Sequence, residues 1–224
     1  MNLIVAIPEV KDGDMAFRQG NSTKDTIANR LTFLSKNGII MEQTTRLGVT
    51  YDGDNYCRYI EVGEDQKGKG MQDFDAPIAD AIVTLDLNHA LFLPLGDCIG
   101  AVIFDPLKQI LMMTHLGRHS IEQNGGYKSV RFLIDNYECN PSDLLVWLSP
   151  SPGQESYPVY AFNNRSLKDI AFEQLFAAGI IKENITNNPA DTAKDARYFS
   201  YSEFLKGHTK INGRHAIVAM IQNI

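Results

Sequence analysis

Apolar and polar residues follow two patterns along the chain, and each pattern predicts a different element. Short, largely apolar runs predict β-strands, and several of these runs are uninterrupted, which indicates strands buried on both faces. The predicted strands cover residues 3–7, 58–62, 81–84, 91–95, 101–104, 110–114, 144–148, 158–162 and 216–221.

Three segments instead show apolar residues at helical spacing. The first covers residues 24–37, where Ser22 and Asp25 form a capping-box pattern at its start. The second runs from Ser120 to about Tyr137, and the third covers residues 167–179. Strands and helices do not alternate regularly, so a doubly wound parallel sheet is not expected. The order favours an α+β fold, with helices packed outside mixed central sheets.

Length and composition limit the function classes. With 224 residues, an ordinary hydrophobic fraction of 44% and no internal repeat, we expect one domain over residues 1–224. The net charge of −6 disfavours binding to nucleic acid or to an anionic membrane surface. No apolar run is long enough to span a bilayer and the N-terminus lacks signal-peptide features, so we expect a cytoplasmic protein. A small molecule is the expected partner.

Cysteine and histidine lie near each other at one predicted hairpin. Cys98 precedes the strand at 101–104, and His115 follows the strand at 110–114. If these strands pair, both side chains reach the same end of the sheet. A thiolate and an imidazole there are ligands that zinc prefers. Alternatively, the imidazole holds Cys98 as a nucleophilic thiolate, with Asp97 orienting the histidine or acting as a base.

A wider set of motifs resembles the YfiH-like family, whose members are often labelled multicopper polyphenol oxidase or laccase-domain proteins. The motifs follow the family's order along nearly the whole chain. They are Asn29-Arg30, the run from Ala79 to Thr84, Gly96-Asp97-Cys98, Phe104-Asp105-Pro106, Thr114-His115-Leu116-Gly117, the run from Leu148 to Gly153, Phe199-Ser200-Tyr201 and Gly213-Arg214.

The resemblance implies a YfiH-like fold and a zinc-dependent purine nucleoside phosphorylase with adenosine deaminase side activity. It places zinc on Cys98 and His115. Separately from the resemblance, His119 lies four residues after His115, and two histidines at this spacing can share a metal ion if they lie on one helix, so His119 is a candidate additional ligand. Catalysis would involve Asp97, Cys98 and His115. Arg30 and Arg214 are candidate phosphate contacts because guanidinium matches phosphate geometry, and Ser149 is a third candidate substrate-binding residue.

The chain departs from the family where the resemblance places the chemistry. Gln43-Thr44-Thr45-Arg46 aligns with a family motif whose histidine binds zinc, so Thr45 replaces that ligand. A catalytic zinc normally has three protein ligands. We therefore expect zinc to bind weakly and to be lost on dialysis, and we expect Thr45→His to tighten it. His89, in a turn, is predicted to be solvated.

Two other functions remain open. A chain that kept Cys98 and His115 without a full zinc site could be a cysteine hydrolase or deamidase, with Ser149 near the nucleophile. A chain with this many departures could also be a non-catalytic member that binds a ligand or partner.

Overall fold

The computed structural model describes residues 2–18 and 23–223, in which two mixed β-sheets pack together and helices cover their outer faces. The strands are β1 (Asn2–Ala6), β2 (Thr44–Arg46), β3 (Tyr59–Glu61), β4 (Ala81–Thr84), β5 (Ala90–Leu95), β6 (Ile99–Asp105), β7 (Ile110–Leu116), β8 (Leu145–Leu148), β9 (Ile185–Asn187) and β10 (His215–Gln222). The α-helices are α1 (Thr23–Lys36), α2 (Arg118–Glu122), α3 (Gly125–Tyr137), α4 (Leu167–Ala177) and α5 (Tyr201–Leu205).

The smaller sheet has the strand order β1-β10-β5-β2, and the larger has the order β3-β4-β7-β6-β8-β9. One apolar cluster lies between the sheets and contains residues of β5 and β10 from one sheet and of β4, β6 and β7 from the other. A second cluster packs α3 and α4 on the outer face of the larger sheet, and a third packs α1 on the smaller sheet. Because both faces of β6 and β7 are covered, every residue of these strands is buried. The predicted α+β architecture is confirmed.

The hairpin of β6 and β7 is also confirmed. The strands pair antiparallel, with Gly100 opposite His115 and Asp105 opposite Ile110. The Asp105 carboxylate accepts the backbone N–H groups of Leu107 and Lys108 at 2.9 Å, which closes the predicted turn.

The predicted second helix is two helices, because the chain turns sharply between them. Asn124 takes a left-handed conformation with φ of 64°, which ends the path of α2 and starts α3. From α4, the Gln174 side chain accepts the Gly126 N–H at 2.9 Å and donates to the Ile121 carbonyl at 2.8 Å. Gln174 thereby fixes the position of α2, which borders the candidate site described below.

Other predictions were less accurate. Residues 158–162 were expected to form a strand, but Tyr160–Phe162 form a 3₁₀ turn, since Asn163 and Asn164 take positive φ and reverse the chain. The short elements β2, β9 and α5 were not predicted. Ser22, the proposed helix cap, lies outside the described residues. No helix in the described ranges is long and apolar enough to cross a membrane.

Candidate active site at the end of the central hairpin

The β6–β7 hairpin brings Cys98 and His115 together at one end of the larger sheet. Cys98 directly precedes β6, and His115 lies one residue before the end of β7. Gly117 shows how near they are: a Cβ atom built on this glycine would lie 3.0 Å from Cys98 Sγ and 3.1 Å from His115 Nε2. Both reactive atoms therefore approach a single point, and only a residue without a side chain fits between them.

Burial keeps both groups neutral. Removal from water raises the pKa of the Cys98 thiol to about 12, and the neighbouring Asp97 charge adds to this effect. Burial likewise lowers the pKa of His115 to about 4, against a smaller opposing contribution from Asp80. At neutral pH the pair is a thiol beside a neutral imidazole, which does not favour the ion pair of a cysteine nucleophile.

We expect a thiol-reactive probe to label Cys98 slowly at pH 7. Because the thiolate is the reactive form, the rate should rise about tenfold per pH unit between pH 7 and 10 without a plateau. The measurement is the labelling rate of Cys98, followed by mass spectrometry of its peptide, with the half-exposed Cys57 as an internal reference. A plateau near neutral pH would instead show a stabilised thiolate and support the hydrolase alternative.

A cavity of about 640 Å³ opens beside this pair, and residues from both sheets and from α2 and α5 line it. Its size suits a small organic molecule. The polar lining is Asp97, Cys98, His115, Arg118, His119, Ser202 and Arg214. The remaining lining is largely aromatic and aliphatic, with Val49, Tyr51, Pro94, Leu95, Gly96, Tyr157, Tyr201 and Leu205.

Asp97 borders the cavity, but its carboxylate already accepts several protein hydrogen bonds. Oδ1 accepts the hydroxyl groups of Ser200 at 2.7 Å and Thr192 at 3.2 Å, and Oδ2 accepts the Ser202 N–H at 2.6 Å. Burial raises the pKa of Asp97, and these hydrogen bonds oppose the rise. Its geometry therefore suits a positioning role, because Asp97 holds the start of α5 against the cavity.

Arg214 lies flat between Gly96 and the Tyr201 ring. Its guanidinium carbon is 4.3 Å from the ring centroid. A Cβ atom on Gly96 would lie 2.9 Å from Arg214 Nε, so the glycine makes this position possible. Nη1 donates to Asn212 Oδ1 at 2.9 Å and to the Gly213 carbonyl at 2.8 Å, which fixes the guanidinium at the cavity wall.

The structure corrects the expectation that Arg30 contacts phosphate. Arg30 is a fully buried residue of α1. Its guanidinium donates to the main-chain carbonyls of Met15, Gly70 and Met71 at 2.7–2.9 Å. It also lies 4.0 Å from the centroid of the Phe17 ring. Arg30 therefore joins three segments of the fold and does not line the cavity.

Removing this guanidinium should destabilise the protein without direct effect on the site. Arg30→Met leaves buried carbonyls without donors, and we expect unfolding free energy to fall by about 3 kcal/mol. Urea unfolding would measure it, with the exposed Arg131→Met as the matched control. Unchanged stability combined with weaker phosphate binding would contradict the structural role.

Ser149 is also placed away from the cavity. It is fully buried, and its hydroxyl group accepts the Gly100 N–H at 2.9 Å and donates to the Pro150 carbonyl at 3.1 Å. These bonds join the end of β8 to the start of β6. Ser149 therefore supports the strand that follows Cys98, and it has no donor directed at a substrate.

Thr45, on β2 of the smaller sheet, and His89, directly before β5, form a buried pair. This pair corrects two expectations: that His89 is solvated, and that a histidine at position 45 would complete a zinc site. Thr45 Oγ1 lies 2.7 Å from His89 Nε2 and donates to the Gln66 carbonyl at 2.7 Å. His89 is fully buried, not solvated, and burial lowers its pKa to about 4. Thr45 does not line the cavity, so a histidine there would not face Cys98.

Comparison with known proteins identifies the family. The family model described as multi-copper polyphenol oxidoreductase laccase matches residues 5–222. The chain belongs to this family. This family match also confirms the resemblance to YfiH-like proteins.

Two solved structures share the fold of this family member. The YfiH protein of Bacillus licheniformis aligns with a TM-score of 0.83 at 18% identity, over 93% of this chain and 85% of that protein. YlmD from Geobacillus stearothermophilus aligns with a TM-score of 0.83 at 19% identity, over 94% and 85%. At these identities the similarity shows the fold alone.

One curated relative has a named activity. Purine nucleoside phosphorylase YlmD of Bacillus subtilis (strain 168) is 27% identical over 104 residues. This region is 46% of the present chain and 37% of the relative, so the match spans little more than a third of that protein.

The donor set of this family member does not fit a catalytic metal site. Within residues 2–18 and 23–223, no group of three or more His, Cys, Asp or Glu side chains is placed to hold a metal ion. His119 is not on one helix with His115, since β7 contains His115 and α2 starts at Arg118. Its ring stacks on Tyr56 instead, 4.7 Å between centroids. Cys98 and His115 are two strong donors, whereas a catalytic zinc ion usually has three protein ligands. The proposed reaction therefore does not depend on a metal.

Several lining residues were not predicted from the sequence. Arg118, Tyr51, Tyr157 and Tyr201 come from separate loops and helices, and only the fold brings them to one cavity. Two family-like motifs were the available signals: Phe199-Ser200-Tyr201 includes Tyr201, and Arg118 directly follows Thr114-His115-Leu116-Gly117.

Proposed function

We propose that the protein is a purine nucleoside phosphorylase-like enzyme that cleaves inosine or adenosine with phosphate. The observation that supports this best is the cavity itself. It places two guanidinium groups, Arg118 and Arg214, with an imidazole and several aromatic rings in a chain of net charge −6. A nucleoside and phosphate offer the matching groups, which are a planar ring and an anion. The activity in the name of the YlmD relative is consistent with this chemistry.

The reaction breaks one bond and forms one. A phosphate oxygen attacks C1′ of the ribose, the C1′–N9 bond breaks, and its electron pair leaves with the purine, which takes up a proton. Arg118 and Arg214 hold the phosphate, because paired guanidinium donors match its oxygen atoms. His115 is neutral, so one ring N–H can hydrogen-bond to the departing base and stabilise its developing charge.

The test is base release by the purified protein from inosine and from adenosine, with and without phosphate, followed by chromatography. We expect phosphate-dependent release of hypoxanthine or adenine. Arg214→Gln should lower kcat/KM about a hundredfold because it removes a charged donor from the anion. Arg131→Gln changes a partly exposed arginine on α3, away from the cavity, and is the matched control.

Two results would overturn the proposal. Absence of phosphate-dependent release from either nucleoside would favour a non-catalytic binding role. Release of ammonia from adenosine without base release would indicate deamination instead. The cysteine hydrolase alternative lacks support from the site, because Cys98 is held as a thiol and the Ser149 hydroxyl group is already hydrogen-bonded to Gly100 and Pro150.

A further inference from the structure

Three aromatic rings form a contiguous group at one rim of the cavity. Tyr56 stacks on His119 with 4.7 Å between centroids and an interplanar angle of 22°. Tyr51 meets the edge of the His119 ring at 5.9 Å and lies 6.4 Å from Tyr56. The loop at residues 50–57 and the short helix α2 therefore meet through their rings.

Gln123, at the end of α2, holds the same loop in place. Its side-chain carbonyl accepts the Tyr56 N–H at 2.9 Å, and its amide donates to the Asp54 carbonyl. The Tyr56 hydroxyl group donates to the Tyr51 carbonyl at 3.3 Å. The position of Tyr51 thus depends on α2 through both hydrogen bonds and ring contacts.

Tyr51 leaves a large ring surface uncovered. It lines the cavity together with His119, yet it is 60% exposed. An aromatic face in this setting gains free energy when another planar ring stacks on it. Arg214, on its Tyr201 support, and Arg118, on α2, are the cationic lining residues, so the cavity offers guanidinium groups for an anion together with the uncovered Tyr51 ring for a planar group.

We propose that Tyr51 binds the planar ring of the ligand by stacking, and that His119 is a positioning residue for Tyr51 and not a metal ligand. This inference rests on the proposed function for the identity of the ring, which is the purine base. The base then lies against the Tyr51 ring, and the phosphate lies against Arg118 and Arg214.

Equilibrium binding of hypoxanthine tests the inference separately from catalysis, because the free base carries no phosphate and no bond is broken. Calorimetry would compare wild type with Tyr51→Ala, Tyr51→Phe, His119→Ala and His119→Phe. Tyr160→Ala is the matched control, since Tyr160 is an exposed tyrosine outside this cavity. Unfolding curves would establish that each variant is folded.

We expect Tyr51→Ala to weaken hypoxanthine binding about tenfold, while Tyr51→Phe and Tyr160→Ala leave it near the wild-type value. His119→Ala should weaken binding, and His119→Phe should restore it, because phenylalanine keeps the stacking surface without ring nitrogen atoms. In turnover assays, the alanine variants should raise KM more than they lower kcat.

The outcomes separate this inference from the proposed reaction. Hypoxanthine binding that depends on Tyr51, in a protein without phosphorolysis, would support the ring site and overturn the reaction. Phosphorolysis with hypoxanthine binding unaffected by Tyr51→Ala would overturn the ring site and leave the reaction standing. Equal losses in His119→Phe and His119→Ala would overturn the positioning role. Absence of hypoxanthine binding by the wild-type protein would overturn the inference as a whole.

Discussion

Gly117→Ala should remove most of the proposed phosphorolysis activity while the protein still folds. The new Cβ atom would lie 2.7 Å from His115 Cε1 and 3.0 Å from Cys98 Sγ, so the imidazole or the thiol must move. The Gly117 backbone has φ of −84° and ψ of 174°, which any residue adopts without strain. We expect a stability cost of about 1–3 kcal/mol from overpacking, and a fall in kcat/KM on the order of a hundredfold from the displaced imidazole.

Gly63→Ala is the matched control. Gly63 also has an extended backbone, and its added Cβ would find only Asp86 Oδ2, at 3.9 Å. Phosphorolysis rates and urea unfolding would be measured for both variants, and the His115 ring signals would be followed by NMR. Full activity and unshifted His115 signals in Gly117→Ala would show that the space between Cys98 and His115 is not part of the site.

The sequence predicted the parts of this site that depend on neighbouring strands. Strands β6 and β7 are largely apolar runs joined by a turn at residues 106–109, and a hairpin of this kind fixes which ends meet. The meeting of Cys98 and His115 follows from that pairing. Arg214 was identified through a motif, and it does line the cavity.

The remaining site residues depend on contacts between distant segments, which a local pattern does not show. Within α1, Leu31 is 46% exposed while the neighbouring Arg30 is fully buried, which is the reverse of what hydrophobicity alone predicts. Arg30 is accommodated because backbone carbonyls of two other segments accept its hydrogen bonds. Nothing in the helix itself encodes those acceptors. Likewise, His89 Nδ1 has a partner close in sequence, Thr84, but the partner of Nε2 is Thr45, which lies 44 residues earlier in the chain.

Val49→His, and not Thr45→His, should create a zinc site, with affinity increased by orders of magnitude. Thr45 pairs with Leu91 in the parallel register of β2 and β5. Leu47 still donates its N–H to the Phe92 carbonyl of β5 at 2.8 Å, and Val49, two residues further on, is the first residue after β2 to line the cavity. Since Val49, Cys98 and His115 line the same cavity, we expect a histidine at position 49 to complete a set of three ligands with them.

Three ligands are the usual protein contribution to a catalytic zinc site, and a third donor offsets more of the cost of deprotonating Cys98. Zinc per chain would be measured after identical dialysis of wild type, Thr45→His and Val49→His, with affinities from competition against a chromophoric chelator. We expect wild type and Thr45→His to lose zinc and Val49→His to retain about one ion per chain. Retention by Thr45→His alone would show that position 45, and not position 49, faces Cys98 and His115. Retention by the wild-type protein would mean that a further residue, with His119 the nearest candidate, completes a site from the donors already present.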